Sequence, residues 1–306
     1  MCGIVGLYLK NMALAPELGR LTALMLHEMA ARGPDSTGFA VYGPPDGTTR
    51  LSAVSRTGDT EWESHARALG QALGTEVAVE PLADHALLRF ASDADGSGEA
   101  RGQAARNWLI AHAPDLSVLS VGQSIALCKG LGDPDEVAQR LGLAQRHGTH
   151  AIAHTRMATE SAVTTEGSHP FSTGADTCLV HNGSLSNHNR LRANLRRQGE
   201  TFQTENDSEV AAGYLAWRMR EGDSLDDAIA AALRDFDGFF TFAIGTADGF
   251  AVVRDPIACK PAVIVETDDW VAMSSEFRAI AKLPGVEHAE IWEPEPARIY
   301  AWSHAA

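Results

Sequence analysis

The sequence predicts an α+β protein in which sheets pack between helices, rather than a doubly wound parallel sheet. Three observations carry that expectation. Apolar runs of strand length come early and again late in the 306 residues, with helical patterns between them. Apolar residues make up 44% of the chain, enough for a large core. From about residue 49 to 147 the pattern changes, which reads as an inserted α/β subdomain within a single domain spanning residues 2–306.

The elements follow in order. Gly3-Ile4-Val5-Gly6-Leu7-Tyr8 is an unbroken apolar run and reads as a buried strand. Over residues 16–31, Leu18, Leu21, Leu24, Met25 and Met29 recur at helical spacing. Arg32-Gly33-Pro34-Asp35-Ser36 is a turn into a strand at 37–42, and Gly43-Pro44-Pro45-Asp46-Gly47 then breaks the chain. Within the insertion, 77–79 and 86–90 alternate like strands, while 62–73, 104–112 and 135–143 are helical and 94–102 is a glycine-rich loop. Afterwards 151–154 and 177–181 read as strands, 185–198 as a basic-faced helix, and 207–220 and 225–236 as further helices. Strands at 239–245, 250–254, 262–266 and 270–274 close the pattern.

Composition narrows the function. With 25 basic and 40 acidic residues the net charge is −15, which argues against nucleic acid or an anionic membrane as partner. Cys2, Cys128, Cys178 and Cys259 are far apart with no CxxC pairing, so reduced thiols are expected rather than a disulfide framework or a metal site. No basic, apolar secretory leader opens the sequence, and no run approaches the roughly 18 apolar residues of a membrane helix. The expected setting is cytoplasmic.

Several short polar motifs could carry chemistry, and each has a plainer reading. Cys2 is either a small residue at a strand's frayed start or, once Met1 is removed, an N-terminal residue with both a thiol and a free α-amine. Asn182-Gly183 is either a turn or a pair of donors aimed at one developing oxyanion. Arg156 is either a solvated residue past a strand end or a bidentate carboxylate clamp. Asp207 is either a helix N-cap or an anchor for an ammonium group. Together the second readings suit an α-amino acid with a side-chain carbonyl, glutamine above all.

The ordered set Met1-Cys2-Gly3-Ile4-Val5-Gly6, Arg32-Gly33-Pro34-Asp35-Ser36, His154-Thr155-Arg156-Met157-Ala158-Thr159, His181-Asn182-Gly183 and Asp207-Ser208-Glu209 resembles the class II glutamine amidotransferase family. The run from Arg254 to Pro261, followed by Ser274-Ser275-Glu276, is similar to that family's closing strands. The resemblance covers residues 2–48 and about 150–282. It implies an N-terminal-nucleophile fold, a four-layer αββα sandwich of two antiparallel sheets. It also implies Cys2 as nucleophile with its own α-amine as base, and Asn182 with the Gly183 backbone as oxyanion hole. Arg156 would hold the glutamine carboxylate and Asp207 its amino group, with Arg32, Thr159 and His169 lining the pocket. Met157 stands where many relatives carry an aromatic residue, and Ile257-Ala258-Cys259 where they commonly have a glycine-containing triplet.

Such domains deliver ammonia to a synthase. No GxxxxGK[ST] loop occurs in the sequence, so the acceptor half is expected on another polypeptide. The enlarged middle segment resembles the amidotransferase-type subunit of N-methylglutamate synthase (methylamine–glutamate N-methyltransferase). That resemblance implies a partner carrying FMN and no cofactor in this chain. Two other readings stay open: an N-terminal-nucleophile amidohydrolase acting on another amide, against which Arg156 and Asp207 stand, and a non-catalytic regulatory or assembly subunit, which a retained Met1 would favour.

Overall fold

In the computed structural model, which describes residues 2–58, 60–94, 96, 98–157 and 163–304, the apolar run after Cys2 forms β1 (Gly3–Leu9), buried at every position. Successive side chains leave a strand on opposite faces. Ile4 and Tyr8 enter one core cluster, and Val5, Leu7 and Leu9 another. Coverage on both faces is why this strand shows no polar alternation.

The helical spacing at 16–31 resolves into α1 (Leu18–Glu28), flanked by 3₁₀ turns at Met12–Glu17, which holds Pro16, and at Ala30–Arg32. β2 (Ser36–Tyr42) follows. Then come β3 (Thr48–Ser55), α2 (Trp62–Leu73), β4 (Val77–Leu82), β5 (His85–Ala91), α3 (Glu99–His112) and β6 (Leu116–Gly122). β7 (Ile125–Leu131), α4 (Pro134–Arg140), β8 (His150–Arg156) and β9 (Cys178–Leu185) lead to three successive helices, α5 (His188–Arg197), α6 (Asp207–Arg220) and α7 (Leu225–Asp235). The chain ends through β10 (Gly238–Gly245), β11 (Gly249–Arg254), β12 (Val263–Glu266), β13 (Trp270–Ser274), β14 (Glu290–Trp292) and β15 (Ile299–Ser303).

The described residues form three antiparallel sheets. The first has the order β14-β12-β13-β1-β8-β2-β7, the second β15-β11-β10-β9 and the third β4-β5-β3-β6. Between the first two lies a cluster built from Ile4, Tyr42, Ile152, Val180, Phe250 and Met273. Leu21 and Met25 of α1 and Val137 of α4 cover the outer face of the first sheet with Phe39 and Trp270. Leu195 of α5, Leu215 of α6 and Ile229 of α7 cover that of the second with Phe240 and Phe242. The result is the expected α+β sandwich of αββα layers.

The stretch at 49–147 divides. Residues up to Gly122 build the third sheet with its own core of Leu51, Leu69, Phe90 and Leu109. β7, by contrast, pairs with β2 through seven residue partners at the edge of the first sheet, and Val137 of α4 joins the core over α1. The loop expected at 94–102 already becomes helix at Glu99. The strands β3, β6, β7, β14 and β15 were not among those expected from the apolar runs. Among the described residues no helix is long and apolar enough to cross a membrane.

Candidate active site

Cys2 sits half-buried at the mouth of β1, the strand flanked by β8 and β13. Its carbonyl oxygen accepts a hydrogen bond from Arg32 Nε at 3.0 Å and a longer one from Asn182 Nδ2 at 3.4 Å. Arg32, also buried, pairs at its far end with Glu276. One contact thus comes from the turn before β2 and the other from β9 of the opposing sheet.

Asn182-Gly183 is not a turn. Both residues continue β9, opposite Thr241 and Phe240 of β10. Gly183 has φ +153°, and a Cβ there would lie 2.0 Å from the Phe239 carbonyl oxygen and 2.7 Å from His181 Nε2. Only glycine tolerates both the dihedral and the crowding.

Arg156 is the last residue of β8 rather than a residue beyond it, and it is buried. Its Nη1 donates to the Gly167 carbonyl at 2.8 Å. Asp207 is the first residue of α6, but the cap is Asn206, whose Oδ1 accepts from Ser208 N at 2.9 Å. Asp207 instead accepts from Leu185 N at 2.9 Å through Oδ2. An ionised carboxylate has about four acceptor positions, so capacity remains for an ammonium group. Thr159 lies outside the described residues.

Three histidines gather behind these groups. His154 Nε2 donates to the His181 carbonyl at 3.1 Å, and its ring stacks on His169 with centroids 4.1 Å apart. Ser208 Oγ lies 2.8 Å from His169 Nε2, 2.9 Å from His181 Nδ1 and 3.3 Å from Asp207 Oδ1. If the hydroxyl donates to the carboxylate, both rings donate to it. That leaves His169 Nδ1 and His181 Nε2 bare, and neither nitrogen has a hydrogen-bond partner among the described residues. Both rings are then neutral, as burial requires: it pulls His169 well below the ordinary histidine range and lowers His181, which Asp207 opposes. His169 thus reaches the site through Ser208. The serine, and the positions of His154 and His181 behind it, had no separate signal in the sequence.

A pH dependence follows from the same burial. His154 and His150 are pushed down to about 3 from an ordinary 6.5, chiefly by desolvation. The unfolded chain therefore binds more protons between these values, and stability falls as pH drops below about 6.5. At pH 5.5 each ring is expected to contribute a loss of about 1 kcal/mol relative to pH 7.5, read from urea midpoints at the two pH values. A midpoint that holds steady would contradict the neutral, buried assignment.

A surface groove of about 550 Å³ between α5, α6 and α7, lined by Arg190, Trp217 and Arg234 among others, contains none of the residues converging on Cys2.

Two facing antiparallel sheets between helical layers, meeting at a cysteine in the second position, define the N-terminal-nucleophile class. Comparison with known proteins extends this. Residues 154–282 match the glutamine amidotransferase domain model. The chain is 50% identical over 305 residues to the glutamine amidotransferase-like protein GlxB of Rhizobium meliloti, covering 99% of each chain. It is 30% identical over 307 residues to a putative glutamine amidotransferase of Methanothermobacter thermautotrophicus, covering 98% of this chain and 99% of the other. Its fold matches glutamine phosphoribosylpyrophosphate amidotransferase from B. subtilis with a TM-score of 0.61 at 22% identity, over 99% of this chain and 47% of that one. The chain belongs to the class II glutamine amidotransferase family.

Proposed function

We propose that this chain hydrolyses glutamine through a thioester on Cys2, after loss of Met1, and passes the ammonia to a separate synthase subunit. The observation that carries the reading is the convergence on residue 2 of Asn182 from β9 and Arg32 from the turn before β2. The α-amine takes the Cys2 proton and the thiolate attacks the glutamine side-chain carbonyl carbon. The Asn182 amide, released from its long contact with the Cys2 carbonyl, and the Gly183 N–H hold the oxyanion. Collapse breaks the C–N bond, the α-ammonium returns its proton and ammonia leaves. Water, deprotonated by the same amine, then attacks the thioester and frees glutamate. Arg156 pairs with the substrate carboxylate and Asp207 with its ammonium. Arg32 keeps the backbone of residue 2 in place.

The acceptor is proposed to be an N-methylglutamate-synthase-like complex in the cytoplasm, with any FMN on the partner. The full-length similarity to two amidotransferase-like chains supports a shared architecture that includes the third sheet.

The test is the intact mass of the purified protein before and after incubation with a glutamine-analogue diazoketone. Expected are loss of Met1 and a single adduct on Cys2, with the adduct abolished in Arg156→Ala. A chain that keeps Met1 and takes no adduct, alone or with its partner, would overturn the reading.

A further inference from the structure

Lys129 is the fifth residue of β7, and its chemistry is out of place there. It is 4% exposed, between the buried Cys128 and Gly130. Its three N–H donors are all taken by one loop: Nζ donates to the carbonyls of Glu166 at 2.9 Å, Ser168 at 2.8 Å and Pro170 at 3.3 Å. The Phe171 ring lies 4.6 Å from the same nitrogen.

The carbonyls alternate. Those of 166, 168 and 170 turn to Lys129, while that of Gly167, between them, turns the other way and accepts from Arg156 Nη1 at 2.8 Å and Asn206 Nδ2 at 3.2 Å. The side chain of His169 meets Ser208. The loop is therefore pinned by an ammonium on one side and presents the glutamine clamp with the other. Gly38, the cross-strand partner of Lys129, makes room for it: a Cβ there would lie 2.1 Å from the His169 carbonyl oxygen and 2.6 Å from Lys129 Cβ. The third sheet reaches the same loop, since Ser117 Oγ donates to Glu166 Oε1 at 3.0 Å.

We propose that Lys129 is a positioning residue for substrate recognition, fixing the 166–170 loop so that Gly167 aims the Arg156 guanidinium at the carboxylate of glutamine. The inference rests on the glutamine reading above. It assigns Lys129 no contact with substrate and no part in the chemistry at Cys2. Burial draws the amine down to about 8, with Glu209 and Glu166 opposing, so the ammonium form prevails at neutral pH.

The experiment compares the wild-type full chain with Lys129→Met, whose side chain has similar length and no donors. Labelling of Cys2 by the glutamine-analogue diazoketone is followed by intact mass over a concentration series, beside labelling by iodoacetamide, which needs no carboxylate clamp. Expected is a roughly 10–100-fold rise in the half-saturating diazoketone concentration, the scale of a lost charge-assisted hydrogen bond. The limiting rate should change far less, and the iodoacetamide rate should stay within about twofold. A merely structural lysine would lower the labelled fraction and leave the half-saturating concentration alone, and that result would overturn the proposal. Should Lys129→Met not fold, Lys129→Gln, which keeps two N–H donors but no charge, takes its place: a several-fold rise in the half-saturating concentration supports the proposal, and an unchanged value overturns it. Failure of the wild type to label would instead strike the glutamine reading, and this inference with it.

Discussion

Replacing Cys2 by alanine is expected to abolish glutamate release, with a fall in kcat on the order of 10⁶, the scale of losing a hydrolase nucleophile. The fold should survive the change. The Cys2 side chain belongs to none of the four core clusters, and the hydrogen bonds from Arg32 and Asn182 fall on its backbone carbonyl. Thermal melting of Cys2→Ala should therefore stay close to wild type, as for a substitution away from core and caps. Two of the other three cysteines cannot stand in. Burial pushes the Cys128 and Cys178 thiols up to about 12, so neither supplies thiolate at neutral pH. Cys259 is exposed, on the segment after β11. Activity above about 1% of wild type in Cys2→Ala would place the nucleophile elsewhere. Cys2→Ser is the sharper control, because it keeps the α-amine and a hydrogen-bonding side chain while removing the thiol.

Much of this arrangement was legible in the sequence, but unevenly. The apolar run from Gly3 announced a strand covered on both faces, and the helical spacing at 62–73 marked α2 with the bounds it has. The polar motifs marked the right residues while misplacing some of their geometry. Asn-Gly is the strongest short turn signal there is, yet in β9 the glycine serves a crowded strand position at φ +153°. Asp207 looked like a cap because it precedes the helical run, but Asn206 had the extended backbone a cap needs, at φ −70° and ψ 138°.

What stayed hidden depends on contacts distant in sequence. β7 joins the first sheet only through pairing with β2, some ninety positions earlier, so its neighbours in sequence drew it into the insertion. Lys129 had one local signal, a lone charge in Ile125-Ala126-Leu127-Cys128-Lys129, but nothing nearby named the carbonyls of 166–170 as its partners. Ser208 and the histidine pair it joins share the same limit. Hydrophobic period reports which face of an element is buried; it does not report which polar atoms meet there.

Asn182→Ala is the substitution that separates chemistry from binding. The amide sits on β9, 4% exposed, with the strand held on one side by β10, so its position is set by the sheet and not by substrate. In the proposed mechanism a ground-state amide has little need of it, whereas the tetrahedral oxyanion needs both it and the Gly183 N–H. Loss of one such donor is expected to lower kcat by about 10²–10³ while leaving KM within a few-fold. Arg156→Ala should do the opposite, raising KM strongly, because the carboxylate it is proposed to hold bears the same charge in ground and transition states. Steady-state glutaminase kinetics on the two variants, each checked for wild-type melting, read that contrast directly. If Asn182→Ala instead raised KM and spared kcat, the amide would be a binding group, and the oxyanion would have to be held elsewhere. Asn182→Asp makes the point with shape preserved: it puts a carboxylate where negative charge must develop, so its kcat should fall below that of the alanine variant. Gly183 cannot be tested by the same logic, since any Cβ there meets the Phe239 carbonyl at 2.0 Å and would move the strand before it touched the chemistry.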